Sequence, residues 1–133
     1  MPESSIYESD ETFATVDQRV AHYKASMSQI PLDPTYPAQD VRVKLGEKTY
    51  RLQFIWNRRQ ALWSMNISTD NGTLLLSGVP LHPDSIPLQP FSNSKLPPGQ
   101  IIVWDTGDPE KTPGRYEFGT QNRVRILYYG PNV

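Results

Sequence analysis

The sequence predicts an all-β fold, a small antiparallel β-barrel or sandwich of about six to eight strands carrying an N-terminal α-helix. Three observations predict it. Runs of residues from Gly46 to Pro80 follow one another with the period of two that a half-buried strand shows. Short polar turns separate them, the sharpest being Asp70-Asn71-Gly72, whose residues tolerate the positive φ of a tight hairpin. No strand, helix, strand alternation occurs anywhere, which argues against a parallel α/β sheet.

The first element is a helix expected over Asp10 to Ser28, where Phe13, Val16, Val20, Tyr23 and Met27 recur at spacings of three and four. Asp10, Glu11 and Asp17 lie toward its start and Arg19 and Lys24 toward its end, the order that complements the helix dipole. A stripe of about two heptads is marginal alone, so the helix packs on its own domain or on another chain. Ile30 to Pro37 reads as a stiff extended connector, because each proline fixes its own φ and pushes its predecessor toward extended geometry. It divides an N-terminal extension, 1–29, from a β domain, 30–133.

Val41, Val43 and Leu45 alternate with charged residues as a first strand, which turns at Gly46-Glu47. Tyr50, Leu52, Phe54 and Trp56 then share one face of a second strand. After Asn57-Arg58-Arg59-Gln60, Trp63, Met65 and Ile67 share one face of a third. Leu74, Leu75 and Leu76 follow without alternation, which implies burial on both faces or an edge covered by something else. Six prolines between Pro80 and Pro98 exclude regular structure there, and the interleaved Leu81, Ile86, Leu88, Phe91 and Leu96 imply a wrapping loop. Gln100 to Asp105 reads as a strand, 106–121 as a loop, and Arg123 to Tyr129 as the closing strand with Val124, Ile126 and Tyr128 on one side.

At 133 residues the chain is one domain by length and buries a core without staples. It has no cysteine, which excludes thiolate catalysis, cysteine metal sites and a disulfide scaffold. A net charge of -1 gives no global field for nucleic acid or an acidic membrane surface. The start MPESSIYESDE has neither a basic nor an apolar segment, so no secretory leader is expected, and no window has the length of a membrane span.

Motifs for chemistry are sparse. His22 and His82 are the only histidines, the residue type suited to proton shuttling, and both read as surface or packing side chains. Ser64, Ser68 and Ser77 lack a nucleophile elbow. Asp105, Asp108 and Glu110 in WDTGDPE do not have calcium-loop spacing and read as a solvated turn. Asn66 and Asn71 match the glycosylation acceptor pattern but read as strand and turn residues. Arg51, Arg58, Arg59 and Trp56 could form a stacking patch for single-stranded bases, although Trp56 and Trp63 share the inward parity of their strands. No catalytic residue, cofactor or metal ligand set is expected. A carbohydrate or single-stranded nucleic-acid binding barrel is the alternative this patch keeps open.

The order of the segments is itself informative: Tyr50 to Asn57, Trp63 to Ile67, the Asp70 to Gly72 turn, Gly78 to Leu81, Leu96 to Gly99 and Arg123 to Tyr128. Over about residues 30 to 129 this order resembles the baseplate plug family of contractile-tailed bacteriophages. The resemblance implies a non-enzymatic virion component made in the host cytoplasm and placed at the hub and tube end of the tail. It implies other baseplate, hub and tail-tube proteins as partners, several symmetric copies, and no specific nucleic acid or membrane. Candidate subunit contacts are Phe13, Val16, Val20, Tyr23 and Met27 on the helix and Leu88, Phe91 and Leu96 in the proline-rich loop.

Overall fold

The computed structural model describes residues 15–91 and 94–130, and Phe13 therefore lies outside the described residues. The elements run α1 (Val16–Tyr23), β1 (Ser28–Gln29), β2 (Ala38–Leu45), β3 (Lys48–Asn57), β4 (Leu62–Thr69), β5 (Leu74–Pro80), β6 (Gln100–Asp105) and β7 (Val124–Tyr129). Strands β2, β3, β4 and β5 form one antiparallel meander in that order. Strands β1, β7 and β6 form a second sheet. The two do not close on each other, so the fold is a sandwich rather than a barrel.

The inward parity read from the sequence fills the space between the sheets. Tyr50, Leu52, Phe54, Trp63, Met65 and Ile67 from β3 and β4 meet Ile101, Val103, Val124, Ile126 and Tyr128 from β6 and β7. Leu81, Leu88 and Phe118 close this core from the loops. The other face of β6 and β7 is also covered, since Ile102, Leu127 and Tyr129 pack against Val16, Val20 and Tyr23 of α1. Continuous apolar character in these two strands thus has a physical cause: they are the middle layer of three.

The helix is shorter than the stripe implies. Thr15 caps its start by accepting a hydrogen bond from the Gln18 amide at 3.1 Å, and it ends at Tyr23 in a 3-10 turn over Lys24–Ser26. Met27 is extended rather than helical, because Ser28 and Gln29 pair with Tyr128 and Leu127 of β7 and sheet pairing overrides helical spacing.

Strand β5 also departs from expectation. Among the described residues it is an edge strand paired only with β4 and not buried on both faces, and Leu74 is 57% exposed. Val79 is buried in the core, whereas of the three leucines only Leu75 and Leu76 pack partly against it, because two register shifts against β4 break the simple alternation. Gly78 sits in that irregular stretch at φ +70°, and its amide donates to Asn66 Oδ1 at 2.8 Å. The proline-rich segment does wrap: Ser85 bridges Val103 in both directions, extending the second sheet past β6.

Candidate assembly surfaces

Both ends of the sandwich are built from loops pinned by specific side chains. At the end holding the β3–β4 and β6–β7 connections, the Asp33 carboxylate accepts from the Thr35 amide at 3.0 Å, closing a turn in the connector. Gln39 Nε2 donates to the Tyr36 carbonyl at 3.1 Å. Arg115 then ties this connector to the 3-10 turn Arg115–Glu117, donating to the carbonyls of Pro34 at 2.9 Å and Thr35 at 2.8 Å. Trp63 Nε1 donates to the Arg115 carbonyl at 3.2 Å, anchoring the same turn to the core.

The result is a fixed platform bearing two outward aromatic rings. Tyr36 is 58% exposed and Tyr116 is 64% exposed, and the Arg115 guanidinium lies 4.7 Å from the Tyr116 ring centroid. Tyrosine and arginine held on rigid backbone offer large contact area at small entropic cost, the composition that dominates protein interfaces. Sequence reading missed these residues, since a tyrosine in a polar loop has no periodicity to reveal it.

Behind the platform, the 106–121 loop is organised by Arg123. Its Nε donates to Asp105 Oδ1 at 2.7 Å and its Nη2 to Asp105 Oδ2 at 2.9 Å, with further bonds to the carbonyls of Asp108 and Lys111 and to Glu117. The WDTGDPE group is therefore no solvated turn at Asp105, whose carboxylate is buried and paired. Burial pushes the Asp105 carboxyl up, but the Arg123 hydrogen bond, the Gly107 amide and the Arg123 charge outweigh it and hold it below the usual carboxylate range. Asp84 goes the other way, raised by desolvation and by the charges of Asp105 and Asp17 although it accepts from the Asp105 amide at 3.1 Å.

At the opposite end, Lys48, Thr49, Tyr50, Thr69, Asp70, Asn71, Thr73 and Lys95 line an open hollow of about 660 Å³. Tyr128 reaches the loop near it, its hydroxyl donating to the Pro98 carbonyl; burial, with a smaller effect of Tyr50, raises the Tyr128 pKa. Pro98 in turn packs against Gly46 in the β2–β3 turn.

The candidate contacts read from the sequence divide by exposure. Val16, Val20 and Tyr23 are covered within the chain, Tyr23 stacking on Tyr129 with centroids 4.3 Å apart and Arg19 Nη1 donating to the Tyr129 hydroxyl at 2.9 Å. Leu88 is buried in the main core, Met27 and Leu96 are half-buried, and Phe91 is 43% exposed. The structure thus brings Val16, Val20 and Tyr23 to their own sheet and leaves Phe91 as the most open of the described candidates.

Residues considered for chemistry are dispersed. His22 and His82 are exposed, and His22 meets Tyr23 edge-on at 4.6 Å. Ser64 donates to the Ile55 carbonyl across the meander. Trp56 is half-buried and edge-on to Trp63 at 5.6 Å, while Arg51 faces Asp40 at 3.8 Å. Among the described residues no group of three His, Cys, Asp or Glu could hold a metal ion, and no helix is long and apolar enough to cross a membrane.

No curated protein matches the chain. Residues 27–131 match the profile of the family described as cyanophage baseplate Pam3 plug gp18. The matched span begins just before β1 and contains both sheets and both loop ends, while α1 precedes it. With most of its length so matched, the chain belongs to the cyanophage baseplate plug family and is a structural protein of the phage tail baseplate.

Proposed function

We propose that the protein works by assembly at the distal end of a contractile tail, where several symmetric copies sit at the junction of hub and tail tube and plug or organise it before injection. Membership of the plug family is the observation that carries this reading. The pinned Tyr36 and Tyr116 platform supports it, because a part that acts through contacts needs rigid, outward aromatic surface. Tail-tube and hub proteins are the partners, and Phe91, with the half-buried Met27 and Leu96, adds apolar contact area on the flank.

Removing the gene from a phage genome tests the role. The expected outcome is a particle whose tail lacks the central distal density and whose tube is unsealed or misassembled, with infectivity restored by supplying the protein in trans. Normal tails of full infectivity without the protein would contradict the reading.

A further inference from the structure

Arg58 and Arg59 stand apart from the other described arginines. Arg42 and Arg51 face Asp70 and Asp40, Arg123 grips Asp105, Arg115 and Arg125 donate to backbone carbonyls, and Arg19 donates to Tyr129. Arg58 and Arg59 are exposed, adjacent on the β3–β4 turn, and without an ion pair among the described residues. Their backbone is nevertheless fixed. Asn57 Oδ1 accepts from the Arg59 amide at 3.0 Å and the Gln60 amide at 3.2 Å, and Ala61 completes the turn at φ +51°. The turn lies at the same end of the sandwich as the exposed tyrosines. The Trp56 amide donates to the Pro37 carbonyl at 2.8 Å, next to Tyr36, and Trp63, opposite Trp56 in the ladder, holds the Arg115 carbonyl next to Tyr116. The acids of the connector and of the 3-10 turn are already committed: Asp33 accepts from the Thr35 amide, while Glu117 accepts from the Gly114 amide and faces Arg123.

We propose that this end of the molecule receives an acidic segment of a neighbouring tail protein, whose carboxylates meet Arg58 and Arg59 while its carbon skeleton lies on Tyr36 and Tyr116. The proposal deepens the assembly reading of the platform given under Proposed function and rests on it. Guanidinium groups take carboxylates through paired N–H donors, and charges placed beside exposed rings orient a partner and speed its encounter. A fixed turn leaves little backbone entropy to lose when the contact forms. Single-stranded nucleic acid fits this end less well. The chain's net charge is -1, and Trp56, the ring nearest the arginines in sequence, is half-buried and edge-on to Trp63 rather than open to a base.

Charge reversal in phage tests the contact. Arg58→Glu with Arg59→Glu should leave the unfolding midpoint unchanged, because both side chains are exposed and Asn57 still closes the turn. Its incorporation into tails is expected to fall by about tenfold or more, and that of Arg58→Gln with Arg59→Gln by less, since reversal sets like charges together. Incorporation of the charge-reversed chain at the unaltered level would overturn the proposal. Arg59→Lys supplies an amine for carbodiimide coupling, which joins amines to carboxylates in direct contact. In purified tails position 59 is expected to link to an aspartate or glutamate of another protein, identified by mass spectrometry. Links only to this chain's own carboxylates, or none, in tails that contain it overturn the acidic partner and leave the baseplate role standing. Release of the unaltered protein from tails by nuclease would make the occupant a nucleic acid and overturn the proposal, whereas tails lacking the unaltered protein overturn both readings.

Discussion

Arg123 grips the buried carboxylate of Asp105 with two hydrogen bonds, at 2.7 and 2.9 Å, and joins the end of β6 to the residue that opens into β7. The Asp105 side chain is 3% exposed and that of Arg123 15%, so neither end of the pair is readily replaced by water. Arg123→Ala is expected to lower stability clearly, because it leaves the Asp105 carboxylate without its partner. Lysine should rescue little, since it cannot make the bidentate contact. Urea unfolding of both variants measures this, and an unchanged midpoint in Arg123→Ala would show the pair to be incidental.

The two perturbed carboxyls have opposite signs in their pH dependence. For Asp105 the folded pKa is depressed, so its stabilisation is present above the usual carboxylate range and is lost as pH falls through the folded value. For Asp84 the folded pKa is raised, so stability falls as pH rises from the usual carboxylate value through the folded one. Asp84→Asn keeps an acceptor for the Asp105 amide and should raise the unfolding midpoint slightly at neutral pH. That gain should vanish in acid, below both pKa values of Asp84. Denaturation against pH for the two proteins checks this, and a neutral-pH loss in Asp84→Asn would contradict it.

Gly99 is required by its surroundings. A Cβ there would lie 2.1 Å from the Tyr129 carbonyl oxygen, at a backbone φ of +85°. Gly99→Ala is therefore expected to destabilise by about 2 kcal/mol or more, through strain and a backbone that must move. Gly72→Ala also sits at positive φ, +97°, yet its nearest neighbour is 4.0 Å away. It should cost about 1 kcal/mol, the conformational share alone. Thermal melts of the pair separate contact from conformation, and equal losses would refute the distinction.

The helix is joined to the second sheet by Tyr23 on Tyr129 and by Trp104 Nε1 donating to Asp17 at 2.6 Å. Removing residues 1–26 should uncover Ile102, Leu127 and Tyr129, lowering the unfolding midpoint and raising binding of a hydrophobic dye. A truncated chain as stable and as dye-silent as the full one would show that α1 adds nothing to this fold.

The meander was legible because each of its strands buries one face, which writes a period of two into Tyr50 to Trp56 and Trp63 to Ile67. The second sheet was legible as short apolar runs in which Val124, Ile126 and Tyr128 still marked the inward side of β7, while burial of both faces hid which residues α1 would cover. Strand β1 left no trace, for Ser28 and Gln29 pair through backbone alone. Leu74 to Leu76 suggested a covered strand, but apolar content cannot report a register shift. The Arg123 and Asp105 pair escaped notice because 18 residues and a loop separate them. Tyr36 and Tyr116 escaped for a related reason: their prominence comes from loops that meet only in three dimensions through Arg115.

If the aromatic platform is an assembly surface, Tyr36→Ala with Tyr116→Ala should leave the unfolding free energy within about 0.5 kcal/mol of the parent, because both rings are exposed. Incorporation into tails should fall sharply. Sedimented tails analysed for the variant chain provide the measurement, and full incorporation would remove the platform from the proposal.

The most direct test of the central claim, that this protein is a tail-end part acting through its rigid loops, is an electron cryomicroscopy map of the intact tail. It should place the sandwich in several copies on the tube axis at the distal end, with Tyr36 and Tyr116 in contact with a neighbouring protein and α1 still seated on β6 and β7. A map with no copy at that position, or one in which the platform faces only solvent, would contradict the account.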